Sequence, residues 1–190
     1  YAEKLIREME DEPAFLNYRP AGAKVPFPAS LCVSINDEVV HGIPNQKRIL
    51  KEGDIVSLDL GLKHGGLFTD MAITVGVGKV SVANEKLMEV TKRALQVGID
   101  AARAGYTVGD IGSTIESFVR SKGKYGIVEI LSGHGVGRPG AAISRTACVV
   151  QRGIPTPGRC APIISGFDWC WRLSRKKGQV NGRSEGRVKT

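Results

Sequence analysis

The stretch DIVSLDLGLKHGGLFTDMAITV, residues 54–75, decides the fold. Residues 55–62 alternate, with Val56, Leu58, Leu60 and Leu62 on one side and Ser57, Asp59 and Gly61 on the other. KHGG (63–66) reverses the chain into LFTDMAITV (67–75), where Asp70 shares a face with Phe68, Ala72 and Thr74. A hairpin of this kind makes the two strands antiparallel neighbours, and Asp59 and Asp70 can then approach on one face. Two carboxylates held close repel unless a cation sits between them. Hard divalent ions take such oxygens, and a histidine nitrogen from a third strand would make the site mixed N/O. Read alone, the pair is better taken as two solvated acids on the outer face of a half-wet hairpin, since exposed acids are the default.

The surroundings of the hairpin are well punctuated. SLCVSIN (30–36) predicts a strand ending in the turn at Asp37 and Glu38, and KEGD (51–54) predicts another turn. Ser81 caps a predicted helix over 82–104, with Leu87, Val90, Ala94, Leu95, Ile99 and Ala102 on one stripe and Gly105 as its stop. Thr107 and Asp110 have the spacing of a capping box and open a second helix whose Val108, Ile111, Ile115, Phe118 and Val119 face a core. YGIVEIL (125–131) predicts a strand that delivers the chain to His134, inside GHGVG. Glycines on both sides of a histidine let the backbone approach a ligand closely. Hairpins rather than crossovers imply an α+β fold. His41, beside Gly42 and Pro44, and His64, in the hairpin turn, read alone as surface histidines.

Composition sets limits. At 190 residues and 42% hydrophobic the chain can bury one sizeable core. Its net charge of +8 suggests nucleic-acid binding until it is divided along the chain. Residues 1–137 hold 16 basic and 17 acidic residues, which leaves 11 of the 27 basic and 2 of the 19 acidic for residues 138–190. The basicity belongs to the tail alone. That tail also holds Cys148, Cys160, Cys170 and both tryptophans, with no CxxC or CxxH that would make a zinc site. No apolar run is long enough to span a bilayer, and YAEKLIREMEDEP has no signal-peptide core, so a cytoplasmic location is expected.

Taken in order, SLCVSINDEVVHGIP, KEGDIVSLDLGLKHGGLFTDMA and LSGHGVG resemble the type I methionine aminopeptidases over about residues 12 to 138. The resemblance implies a pita-bread fold, an antiparallel sheet flanked by helices, here incomplete at its C-terminal part. It implies metal ligation by Asp59, Asp70 and His134, substrate contact by His41, and a methionine pocket lined by Phe27 and Cys32. An apolar, polarisable lining suits a thioether. It also implies two divalent ions (Co, Mn, Fe or Zn), hydrolysis of the first peptide bond of nascent polypeptides, and His41 as a hydrogen-bond donor to the scissile amide. A monomer is expected, with the ribosome as a possible neighbour, no membrane and no specific nucleic acid as partner.

The sequence departs from that pattern after GHGVGR. The family's second histidine falls on Ala141, and residues 138–178 contain none of the glutamates that the family supplies as ligands. DWCWRLSRKKG (168–178) can be written in codons whose neighbouring frame reads LVLAIEPKEG, a strand of the family type, and QVNGRSEGRVKT resembles the family again. Residues 1–137 are therefore expected to be a truncated catalytic domain and residues 138–190 an aberrant, frame-shifted basic tail. On this reading the chain as written is inactive and residues 138–178 lack regular packing. Two other classes compete: a pita-bread binding module without metal, and a nucleic-acid or ribosome-binding tail, which a salt-dependent affinity for RNA would reveal. A Xaa-Pro aminopeptidase would share the metal site, but NDEVVHGIP points to the methionine branch.

Overall fold

The structure, a computed structural model, describes residues 1–19, 23–128, 131, 136 and 150–152. The hairpin is its spine. Strands β3 (Ile55–His64) and β4 (Leu67–Gly76) pair antiparallel from Ile55 opposite Gly76 to His64 opposite Leu67. Only Gly65 and Gly66 are left to turn the chain, at φ +54° and +83°. Two successive positive φ angles are what a two-residue hairpin of matching twist needs, and glycine reaches them without strain.

On the other side of β3 lie a short strand β1 (Glu12–Pro13), opposite Leu62 and Lys63, and β2 (Cys32–Ile35), opposite Val56 to Asp59. Helix α1 (Ala2–Glu8) precedes β1. The N-terminal segment is pinned to the hairpin tip by polar contacts. Lys63 Nζ meets Glu12 at 2.8 Å, and His64 Nδ1 lies 2.6 Å from Asp11 Oδ1. The His64 ring is exposed, as the sequence suggests, but it sits at the end of a strand and holds a buried aspartate.

The hairpin buries the polar face that its composition would leave wet, and on the apolar side only Val56 is as deeply buried. Ser57, Gly61 and Ala72 are buried, while Met71, Ile73 and Val75 on the other side are exposed, Met71 by 58%. Alternation identifies which residues share a face; what covers that face is a tertiary matter. The reading of Asp59 and Asp70 as solvated acids is therefore corrected, because both are at least half-buried.

Helix α2 (Val82–Ala101) begins at Ser81, whose hydroxyl accepts from Asn84 N–H. Helix α3 (Val108–Ser121) begins with the expected capping box between Thr107 and Asp110. Burial holds the α3 stripe of Ile111, Ile115 and Val119, but the α2 stripe turns out to be Leu87, Thr91, Ala94 and Gly98. Ile99, expected inside, is 37% exposed. The reason is close packing: a Cβ at Gly98 would stand 2.7 Å from Ile115 Cδ1, so the α2–α3 contact selects small residues over large apolar ones. Helix α2 also stops at Ala101, three residues short of the expected end.

The last pair is β5 (Tyr125–Ile127) with β6 (Val150–Arg152), antiparallel from Tyr125 opposite Arg152 to Ile127 opposite Val150. Of the strand expected over 125–131, β5 forms at Tyr125–Ile127 and ends before Val128, and residues 129 and 130 lie outside the described residues. Strand β6 is an exception to the expectation that residues 138–178 lack regular packing, since its backbone completes a ladder with β5; the rest of that stretch lies outside the described residues. Among the described residues no helix is long and apolar enough to cross a membrane.

Candidate metal centre

Register brings the sequence-predicted residues together. Residues opposite one another in an antiparallel ladder share a face, so the pairings Cys32–Asp59 and Asp59–Ala72 form one row across β2, β3 and β4. The next row is Ser34–Ser57–Thr74, and on the other side Gly61 stands opposite Asp70. Asp59 and Asp70 are thus diagonal neighbours on one face. That relation puts their α-carbons roughly 7–8 Å apart, within reach of two aspartate side chains turned toward a common ion. Cys32, only 3% exposed, lies directly beside Asp59.

The polarity of this face is unusual for a buried one. Ser57 Oγ and Thr74 Oγ1 satisfy each other at 2.8 Å. Asp59 Oδ1 and Asp70 Oδ1 are both buried and accept no hydrogen bond from the protein, although each residue makes other interactions. Buried carboxylate oxygens are costly unless something positive meets them. The donor set so far is hard oxygen, which suits a divalent ion such as Mn²⁺ or Co²⁺. Among the described residues no group of three His, Cys, Asp or Glu comes together as a metal cage. The expected nitrogen ligand, His134, and Ala141 lie outside the described residues.

His41 stands on the loop between β2 and β3, exposed, with φ +58°. That loop is tied down near both ends. Glu38 Oε2 accepts from Ile35 N–H at 2.9 Å and meets Arg48 Nη2 at 2.9 Å. Burial pushes the Glu38 carboxyl up, but the Ile35 N–H and the Arg48 guanidinium outweigh it and hold the group below its ordinary value. Asn36, also left-handed at φ +54°, donates to Asp54 Oδ1 and accepts from Ile55 N–H. The side-chain amide of Asn36 and the Lys51 N–H lower the Asp54 carboxyl.

Phe27 is half-buried and reaches the sheet through a relay. Its backbone exchanges two hydrogen bonds with Asn17 and Tyr18, at 2.9 and 2.8 Å, and Ala14 N–H binds Gly61 C=O at 3.0 Å. Between them Phe15 lies over Gly61, so close that a Cβ there would be 2.4 Å from its ring. Sequence reading missed Phe15 and Ser34, and it placed Ser57 beside Asp59 without giving it a role. The only signal for the first was a glycine inside an alternating strand, which marks a close approach.

Residues 3–151 match the model of metallopeptidase family M24. The chain is 48% identical over 139 residues to a methionine aminopeptidase of Aquifex aeolicus, covering 72% of this chain and 53% of that protein. It is 44% identical over 142 residues to methionine aminopeptidase 1 of Mycobacterium tuberculosis, covering 72% and 51%. The crystal structure of methionine aminopeptidase from Rickettsia prowazekii superposes with a TM-score of 0.67 at 34% identity, over 83% of this chain and 59% of that one. The chain thus spans about half the length of the curated relatives it matches.

Proposed function

Since the chain belongs to metallopeptidase family M24 and carries part of its pita-bread fold, we propose that the whole protein removes the N-terminal methionine from nascent polypeptides by hydrolysing the first peptide bond. The observation that carries this reading is the shared buried face of Asp59 and Asp70, with Cys32 in the same row. Asp59 and Asp70 would give carboxylate oxygens and His134 a nitrogen to a pair of divalent ions. Such ions, when bound, supply a nucleophilic water at neutral pH and polarise a carbonyl. His41 donates a hydrogen bond to the scissile amide or its departing nitrogen. Cys32 and Phe27 contact the methionine side chain, and the apolar side of that pocket keeps water from the thioether. Residues 1–137 form the catalytic part on this reading, and residues 138–190 contribute no ligand.

Calorimetric titration of the 190-residue chain with Mn²⁺ or Co²⁺ tests it. Three ligands hold one ion weakly, and a second ion needs further anionic ligands, so about one ion at most is expected. Asp59→Asn and Asp70→Asn should each weaken that binding by more than about tenfold. Binding unaffected by either change would remove the metal centre from this face.

A further inference from the structure

We propose that the apolar face of the hairpin, on the side away from Asp59 and Asp70, is where two copies of the 190-residue chain dock, sheet against sheet about a two-fold axis. The inference rests on the fold alone and not on the metal centre or the proposed reaction.

Register builds the face. Leu58 stands opposite Val33 on one side and Ile73 on the other, and Leu60 stands opposite Met71. Residues opposite one another share a face, and along β4 that face continues at alternate positions to Val75 and Leu67. A sheet with one apolar face has to bury it against another layer. This one is uncovered: Leu67 and Ile73 are each 48% exposed, Val75 41% and Met71 58%. Helices α2 and α3 do not supply the layer, since they pack mainly on each other and on β5 and β6. Large apolar side chains grouped on one strand, unlike single ones scattered over a surface, mark a contact surface.

Charge decides the occupant. From the row of Val75 to that of Leu67 this face carries no Asp, Glu, Lys or Arg, because Asp59, Lys63 and Asp70 all belong to the other side. His64, opposite Leu67, turns to Asp11. A two-fold interface sets each residue against itself or its symmetry mate, so a charged face repels its own copy, and here there is nothing to repel. The face equally lacks the charged marks by which a surface selects a different partner. Two such sheets, about 10 Å apart, make the two-layer sandwich whose core one copy lacks. Strand length sets the strength. Strands of 10 residues at ~3.4 Å each, at most three abreast at ~4.8 Å, make a face about 34 Å by about 14 Å. Each copy then offers roughly 400 Å² in projection, about half the ~800 Å² per partner of a standard interface, so the dimer is weak and concentration-dependent.

Sedimentation equilibrium of the 190-residue chain across the micromolar range tests this. The mean mass should rise with concentration from one chain toward two and level off there. Met71→Lys and Ile73→Lys each bring a charge to the face and to its copy, and should weaken association by more than about tenfold. Val82→Lys, at a 64% exposed position on α2, should leave it unchanged. All three positions are exposed, so the folded monomer should tolerate the changes. If a lysine variant unfolds, the methyl-labelled, unaltered chain answers by nuclear magnetic resonance: on dilution the signals of Leu58, Met71 and Ile73 should move together with the mass, and those of Val82 should not. A single-chain mass throughout the range, growth past two chains, or a dimer indifferent to the Met71 and Ile73 changes would overturn the docking, as would methyl signals of the face that ignore dilution. A chain that dimerises in this way but fails to bind Mn²⁺ would sink the proposed function and leave this inference standing.

Discussion

His41 holds a φ of +58°, a region in which a residue bearing a Cβ is strained by about 1 kcal/mol or more. Glycine carries no such penalty, so His41→Gly should raise the urea midpoint of the chain, corresponding to a gain in stability of about 0.5–1 kcal/mol once glycine's greater freedom in the unfolded state is deducted. The same change removes the imidazole on which substrate contact depends in our proposal. The same substitution, made in a chain extended to the length of its relatives, should lower methionine release, and a variant more stable and less active would show strain retained for function. The resemblance in the sequence marked His41, but nothing in NDEVVHGIP announced its backbone angle. The chain around it is placed by contacts far along the sequence: Val33 and Ser34 hold the next residue, Gly42, from nine and eight positions away and meet it only when the loop folds back on β2.

Elements show the same division between local and tertiary information. The capping box of α3 was legible because all its partners lie within four residues, and the structure keeps each bond: Thr107 N–H to Asp110 Oδ2 at 2.7 Å, and Asp110 N–H to Thr107 Oγ1 at 3.2 Å. Thr107→Ala should cost about 1 kcal/mol in a urea melt. Bonds from the Thr107 backbone and hydroxyl lower the Asp110 carboxyl, as Asn36 and Lys51 lower Asp54. A carboxyl lowered in the folded state contributes stability that is present above its unfolded value, about pH 4, and fades as pH falls through the folded value. The urea midpoint should therefore drop between about pH 5 and pH 3, and less steeply in Asp110→Asn. The hairpin was legible as a hairpin, with both aspartates on one face, yet its covered side was not. Val56 is 2% exposed and Ile73 is 48% exposed, though both lie on the apolar side of the hairpin. Val56→Ala should accordingly cost about 2 kcal/mol, and Ile73→Thr no more than about 0.5 kcal/mol, in parallel thermal melts.

At the scale of the molecule, the issue is where the family-like part of the chain ends. Sequence reading placed the break at residue 137, because GHGVG is followed by a basic stretch with no glutamate before residue 179. The family match runs to residue 151, and β6 at Val150–Arg152 closes a ladder on β5. A chain cut after residue 137 loses that ladder and should melt lower than one cut after residue 152, by the few kcal/mol that a short backbone ladder is worth at about 1 kcal/mol per bond. Catalysis places a harder demand on the same stretch. Asp59, Asp70 and His134 supply two carboxylates and one imidazole, whereas holding two ions together needs more negative charge than that, and residues 138–178 offer one acidic side chain, Asp168. The 190-residue chain should then release no methionine from a Met-Ala peptide. If the neighbouring frame of DWCWRLSRKKG is the true one, restoring it supplies the glutamate of an LVLAIEPKEG strand, and a chain so restored and extended to the length of its relatives should release methionine and bind two ions. The coding sequence decides between the accounts at once, by an inserted or deleted base near codons 138 to 145 and a compensating change near codon 178. An intact frame together with methionine release by the unaltered chain would mean that residues other than these complete the centre.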